Sequence, residues 1–184
     1  MSFRNSNLFS RGVFESNESI YHPVYLRYPF NSFTSFIYWL PVLYIPIEYP
    51  LDIYQNTNCI GIGILSCLAP VSFIWWSTSN RTIKYIDNGL VLSTMSWLIS
   101  VVTHTPKLNY LIPFYFCLRN DRLIKNLEVG GSILLVWYNP NMLSNILFSL
   151  GLVGKISDSY LGNPYGTGLF HIFSGLAIST YFCK

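Results

Sequence analysis

The apolar residues of this chain fall in helix-length blocks, and only a tenth of its 184 residues carry charge. Soluble domains place charge on about a quarter of their residues, so a chain this poor in charge cannot cover itself with an ordinary wet surface. Apolar blocks divided by short polar breaks are how membrane-crossing helices are written. The pattern predicts an all-α, polytopic membrane protein with about seven transmembrane helices.

Residues 1–31 are rich in Ser and Asn and read as a polar tail, leaving 32–184 as one transmembrane domain. The blocks run from Ser32 to Tyr49, Thr57 to Trp76, Ile86 to Thr103, Lys107 to Leu118, Gly130 to Tyr138, Met142 to Val153 and Tyr165 to Cys183. The fourth, fifth and sixth are shorter than the roughly 20 residues of a full crossing. Asn139-Pro140-Asn141 divides the fifth from the sixth. Gly61, Gly63, Ser66 and Ala69 give the second block a small-residue face suited to close packing.

The basic residues choose sides. With seven crossings, Arg4, Arg11, Arg27, Arg81, Lys84, Arg119, Arg122, Lys125 and Lys155 share one side, against Lys107 and Lys184 on the other. That bias follows the positive-inside rule and places the N-terminus inside. The sequons at Asn17 and Asn80 then fall inside, where no glycan is expected. A net charge of +3 without a basic cluster excludes a nucleic-acid footprint. Cys59, Cys67, Cys117 and Cys183 form no C-x-x-C pair and read as small core residues. No apolar stretch near the start resembles a secretory signal, whereas Arg4, Arg11 and the serines around them are weakly like an organellar transit segment.

Two fragments carry the chemistry. Ser72 and Trp76 lie near the inner end of the second helix, and Asp87 follows at the first turn of the third. Thr167 and His171 occupy the first two turns of the last. The topology puts Ser72, Asp87 and His171 at one depth, where ionisable groups are costly unless they face a partner or a cavity. Each alone has a plainer account. Ser72 would bond its own i−4 carbonyl, Asp87 would be an interfacial charge, and His171 an interfacial aromatic.

Jointly, Ser72-x3-Trp76-x10-Asp87 and Thr167-x3-His171 resemble the seven-helix membrane hydrolases of the alkaline ceramidase, adiponectin-receptor and hemolysin III superfamily. There a serine precedes a histidine by four residues on helix two, an aspartate opens helix three, and an H-x-x-x-H pair lies on helix seven. Leu169–Ala177 and Arg27–Ser35 resemble the flanking segments of the alkaline ceramidases. The resemblance implies a ceramidase-like bundle, a zinc ion that activates water for lipid amide hydrolysis, and assisting roles for Ser72 and Asp87.

The departures fall on the ligands. Trp76 and Thr167 stand where two metal histidines belong, leaving His171 as the one matched imidazole, whereas catalytic zinc takes about three protein ligands. His22 and His104 are too far along the chain to substitute. The resemblance therefore implies a divergent member without a cofactor, a pseudoenzyme that binds membrane lipid or acts as a scaffold. Two alternatives stay open. One is an active lipid amide hydrolase using Ser72, Asp87 and His171, with zinc only if an unseen ligand set completes the site. The other is a structural subunit among other membrane chains, organellar if the transit-like start is real.

Overall fold

A computed structural model describes residues 28–46, 57–78, 80–163 and 165–183. The described residues are helical, and no strand occurs among them. The long helices are α2 (Thr57–Thr78), α3 (Arg81–Val102), α5 (Asp121–Tyr138), α6 (Met142–Leu161) and α7 (Gly166–Phe182). Two further segments are short and broken. The first joins α1 (Pro29–Thr34) to 3-10 turns at Ser35–Trp39 and Pro41–Leu43, so Pro29 to Asn31 belong to a helix and not to the polar tail. The rest of that tail, with Arg4, Arg11, Asn17, His22 and Arg27, lies outside the described residues, as does Lys184.

The other broken segment is a 3-10 stretch over Pro106–Leu111 followed by α4 (Ile112–Tyr115). Its ends meet α3 at Ser96, whose hydroxyl donates to the Leu108 carbonyl, and at Tyr85, whose ring Arg119 covers. Eleven residues of helix separate those contacts, about 16 Å, or half of a bilayer core about 30 Å thick. The expected fourth helix is thus a short irregular strut of a 3-10 stretch and one α turn, each with a proline in its first turn.

Successive segments run in opposite directions. At one end Ser32 meets Ser77, Phe30 meets Tyr165 and Lys84 meets Asp121. At the other, Asn58 bonds the Pro46 carbonyl, the Trp97 indole bonds the Thr57 carbonyl, and Asn141 bonds that of Thr180. Of the helices, α2 and α3 are long and apolar enough to cross a membrane.

Three boundaries differ from the sequence pattern, each for a capping reason. α3 begins five residues early because the Asn80 side chain accepts from the Thr82 and Ile83 amides, which moves Asp87 from the first turn into the second. α5 starts at Asp121, under an Asn120 cap, so Arg122, Lys125 and Glu128 are helical. α6 continues past Val153 to Leu161 and stops at Gly162, whose φ of 71° ends it in the left-handed conformation. Lys155 is therefore inside a helix and not in a loop.

α6 and α7 share the most extensive interface. Their backbones close at Gly154 and Gly166, where a Cβ on Gly166 would strike the Gly154 carbonyl. Gly61 is likewise filled by the Trp97 ring and Ala69 is fully buried, whereas Gly63 and Ser66 face outward, so half of the expected small-residue face packs. The cysteines are not core residues. Cys67, Cys117 and Cys183 are exposed and Cys59 is half-buried, because apolar text marks the outside of this bundle as well as its interior.

That inversion is general. Trp39, Leu43, Phe114, Trp137, Leu143, Val153 and Leu161 are exposed. Buried polar residues are as numerous as buried apolar ones, and they include Asp87, Glu128, Lys155, Asp158 and His171. In water this arrangement would leave apolar surface wet and remove charges from solvent, two costs at once. The described bundle buries polar and ionisable groups beside an apolar core while exposing many large apolar side chains.

Candidate functional site

His171 is the centre of the polar interior. It lies on α7, 4 % exposed, with Nδ1 3.3 Å from Thr34 Oγ1 and 3.5 Å from Ser35 Oγ. Each of those hydroxyls already gives its single hydrogen to a carbonyl, Thr34 to Phe30 and Ser35 to Asn31. With those bonds kept, the hydroxyls are placed to accept from an Nδ1–H of the imidazole, and a different tautomer would require them to turn. The ring is flanked edge-on by Tyr38 at 5.5 Å and Trp76 at 6.4 Å between centroids. Tyr38 in turn shares a hydrogen bond of 3.0 Å with Ser174, one turn beyond His171.

Ser72 departs from its plain account. Its hydroxyl is buried and has no hydrogen-bond partner among the described residues. Ser77 and Thr78 on the same helix do bond their i−4 carbonyls, at 2.7 and 2.8 Å. A buried hydroxyl left without a partner costs about 1–3 kcal/mol, so the expected back-bond to Leu68 is replaced by an unsatisfied polar group one turn from Trp76. Asp87 is buried on α3, which overturns its reading as an exposed interfacial charge.

Thr167 is drawn the other way. Its hydroxyl donates to Asp158 Oδ2 on α6 at 2.5 Å, with both residues buried. One helical turn earlier on α6, Lys155 Nζ lies 2.6 Å from Glu128 Oε2 of α5, with side chains 3 % and 1 % exposed. The ammonium also sits 5.4 Å from the Phe170 ring. The geometry thus brings His171 and Trp76 into contact and ties Thr167 to α6.

Glu128, Lys155 and Asp158 are the residues that the sequence pattern missed. Their signal was present, because Lys155 and Asp158 are spaced i, i+3 on one helical face within apolar text. Ionisable groups so placed usually face partners. Thr34, Ser35 and Tyr38 gave no comparable signal, being ordinary residues of a proline-broken segment.

The zinc that the ceramidase resemblance implies does not fit these residues. An indole at Trp76 offers no lone pair to a cation, and the Thr167 hydroxyl is committed to Asp158. No group of three or more His, Cys, Asp and Glu side chains converges as a metal site among the described residues. His104 follows α3 at the far end of the bundle.

Tyr38, Ser174, Thr94, Ser132 and their apolar neighbours line an internal space of about 20 Å³ beside the site. That holds about one water molecule and not an acyl chain. No protein family, curated protein or solved structure matches the chain.

Proposed function

We propose that the chain is an integral membrane protein of ceramidase-like layout. Its former metal site has become a hydrogen-bonded core, and it serves as a scaffold that contacts membrane lipid through its outer surface. Its seven segments cross or enter the bilayer, with the N-terminus on the inner side. The single observation that carries this reading is the set of five buried ionisable groups from α3, α5, α6 and α7 beneath exposed aliphatic and aromatic side chains. Hydrogen bonds, ion pairing and close glycine contacts hold such helices together where the hydrophobic effect between them is absent.

The alternation of segments supports the topology. The end that carries Arg81, Lys84, Arg119 and Arg122 is the end where α1 begins, and removing Lys155 from the loop charges leaves the bias strong. A second reading, a metal-free lipid amide hydrolase, draws on one observation, the buried unpartnered hydroxyl of Ser72.

Elemental mass spectrometry of the detergent-purified chain, followed by a fatty-acid release assay on ceramide, separates the two. The scaffold reading predicts no stoichiometric zinc and no release. Release that disappears in Ser72→Ala would replace it with the hydrolase reading.

A further inference from the structure

The two sides of α6 are unlike. On one, Ser144, Phe148, Lys155 and Asp158 are buried, and Gly151 and Gly154 lie close against α7. On the other, Met142, Asn145, Ile146, Ser149, Leu150 and Val153 line one continuous groove of about 570 Å³. The four apolar members of that stripe are exposed. Their positions, separated by three and four residues, are those of a seam that receives a second helix.

Asn145 is the exception within the stripe. Its side-chain oxygen is buried and has no hydrogen-bond partner among the described residues, an arrangement that costs stability until a donor arrives. A carboxamide turns readily about its last torsion, so Asn145 can present either a donor or an acceptor to the groove. One turn further along, the Ser149 hydroxyl gives its hydrogen to the Asn145 main-chain carbonyl at 2.8 Å and keeps its lone pairs for accepting.

We propose that this groove receives α6 of a second copy of the chain, forming a parallel pair about a twofold axis along the membrane normal. A carboxamide is complementary to itself, because the nitrogen of one donates to the oxygen of the other. Copies oriented alike in the bilayer bring their two Asn145 side chains to the same depth. A lone Asn in an apolar seam fixes register and oligomer state in this way, and Asn and Ser side chains bond across helices in membranes. Contact between identical surfaces about a twofold axis is also the commonest arrangement of homo-oligomers. Hydrocarbon chains filling the groove would leave the carboxamide unserved. The pair rests on the membrane reading above, which sets both copies in one orientation.

The test is energy transfer in liposomes between full-length copies labelled at the exposed Cys183, followed over a range of protein-to-lipid ratios. A saturable dimer is expected. Asn145→Leu raises its dissociation constant about tenfold, and Asn145→Gln, which keeps a donor and an acceptor, stays within about threefold of wild type. With the native cysteines replaced, Ile146→Cys and Val153→Cys link into disulfide dimers under copper phenanthroline, whereas Ile74→Cys, exposed on α2, does not. These links keep the question answerable if Asn145→Leu fails to fold. A chain that stays monomeric over the whole range, equal linking at Ile74→Cys, or an unchanged dissociation constant in Asn145→Leu overturns the proposal. Alkaline carbonate extraction keeps the two failures apart. A chain that dissolves in carbonate refutes the membrane reading, and one that stays in the pellet as a monomer refutes only the pair.

Discussion

Replacing Lys155 with methionine should destabilise the bundle more than any surface substitution. The Lys155 ammonium and Glu128 carboxylate are 2.6 Å apart with almost no exposure. At an effective dielectric of about 20 their attraction is about 6 kcal/mol, and several kcal/mol of lost hydration per ion offsets it. The intact pair is therefore close to neutral for stability, whereas the partner that remains keeps its desolvation cost without this attraction. Lys155→Met should lower the unfolding free energy by about 3–5 kcal/mol, or the melting temperature by about 6–20 °C at this chain length. Glu128→Gln should cost less, because Phe170 still faces the ammonium. The double substitution Glu128→Leu/Lys155→Met should return to within about 1 kcal/mol of wild type, since apolar replacement of a whole buried pair is often neutral or better. Thermal unfolding in mild detergent, assembled into a double-mutant cycle, measures this. Equal loss in the double and single variants, or a coupling below about 0.5 kcal/mol, would refute the reasoning.

Thr167→Val deletes the hydroxyl that Asp158 accepts from and should cost about 1–3 kcal/mol, while Thr167→Ser, which keeps the donor, should melt near wild type; equal melting of the two variants would disprove the bond's role. Gly166→Ala drives a methyl into the Gly154 carbonyl and should cost about 1–3 kcal/mol, whereas Gly63→Ala meets open space and should raise stability slightly, as read by detergent melts. Trp76→His combined with Thr167→His would restore the ligand spacing of the ceramidase-like pattern around His171, so elemental analysis should find about one zinc per chain in the double variant. No zinc there would count against the descent from a metal site.

The fold was legible where a helix is apolar along its whole length, as in α2 and the second half of α3. A hydropathy pattern alone missed it where charges are buried. Glu128, Lys155 and Asp158 look like loop residues to a hydropathy pattern, yet each belongs to a helix and faces inward. The cysteines failed for the mirror reason, since an apolar exterior makes apolar context uninformative about burial. At the site, the spacing located His171 and Trp76, which do meet. It could not show that Thr34 and Ser35 hold Nδ1, because a 3-10 turn following α1 brings those hydroxyls round and no periodicity announces it. The Ser72 hydroxyl shows the limit most clearly. Local chemistry offers it a carbonyl one turn back, and only the packed bundle reveals that it does not take it.

The native cysteines give the most direct test of the central claim, because they sit at both ends and in the middle. Cys117 lies at the end where α1 begins, Cys183 at the opposite end, and Cys67 within α2, and all three are exposed. Single-cysteine versions in sealed, right-side-out vesicles would be treated with a membrane-impermeant maleimide. A bundle embedded with its basic end inside labels at Cys183, labels at Cys117 only after permeabilisation, and leaves Cys67 unlabelled because no water reaches it. Labelling of all three without permeabilisation, or of Cys117 and Cys183 from the same side, would contradict the account.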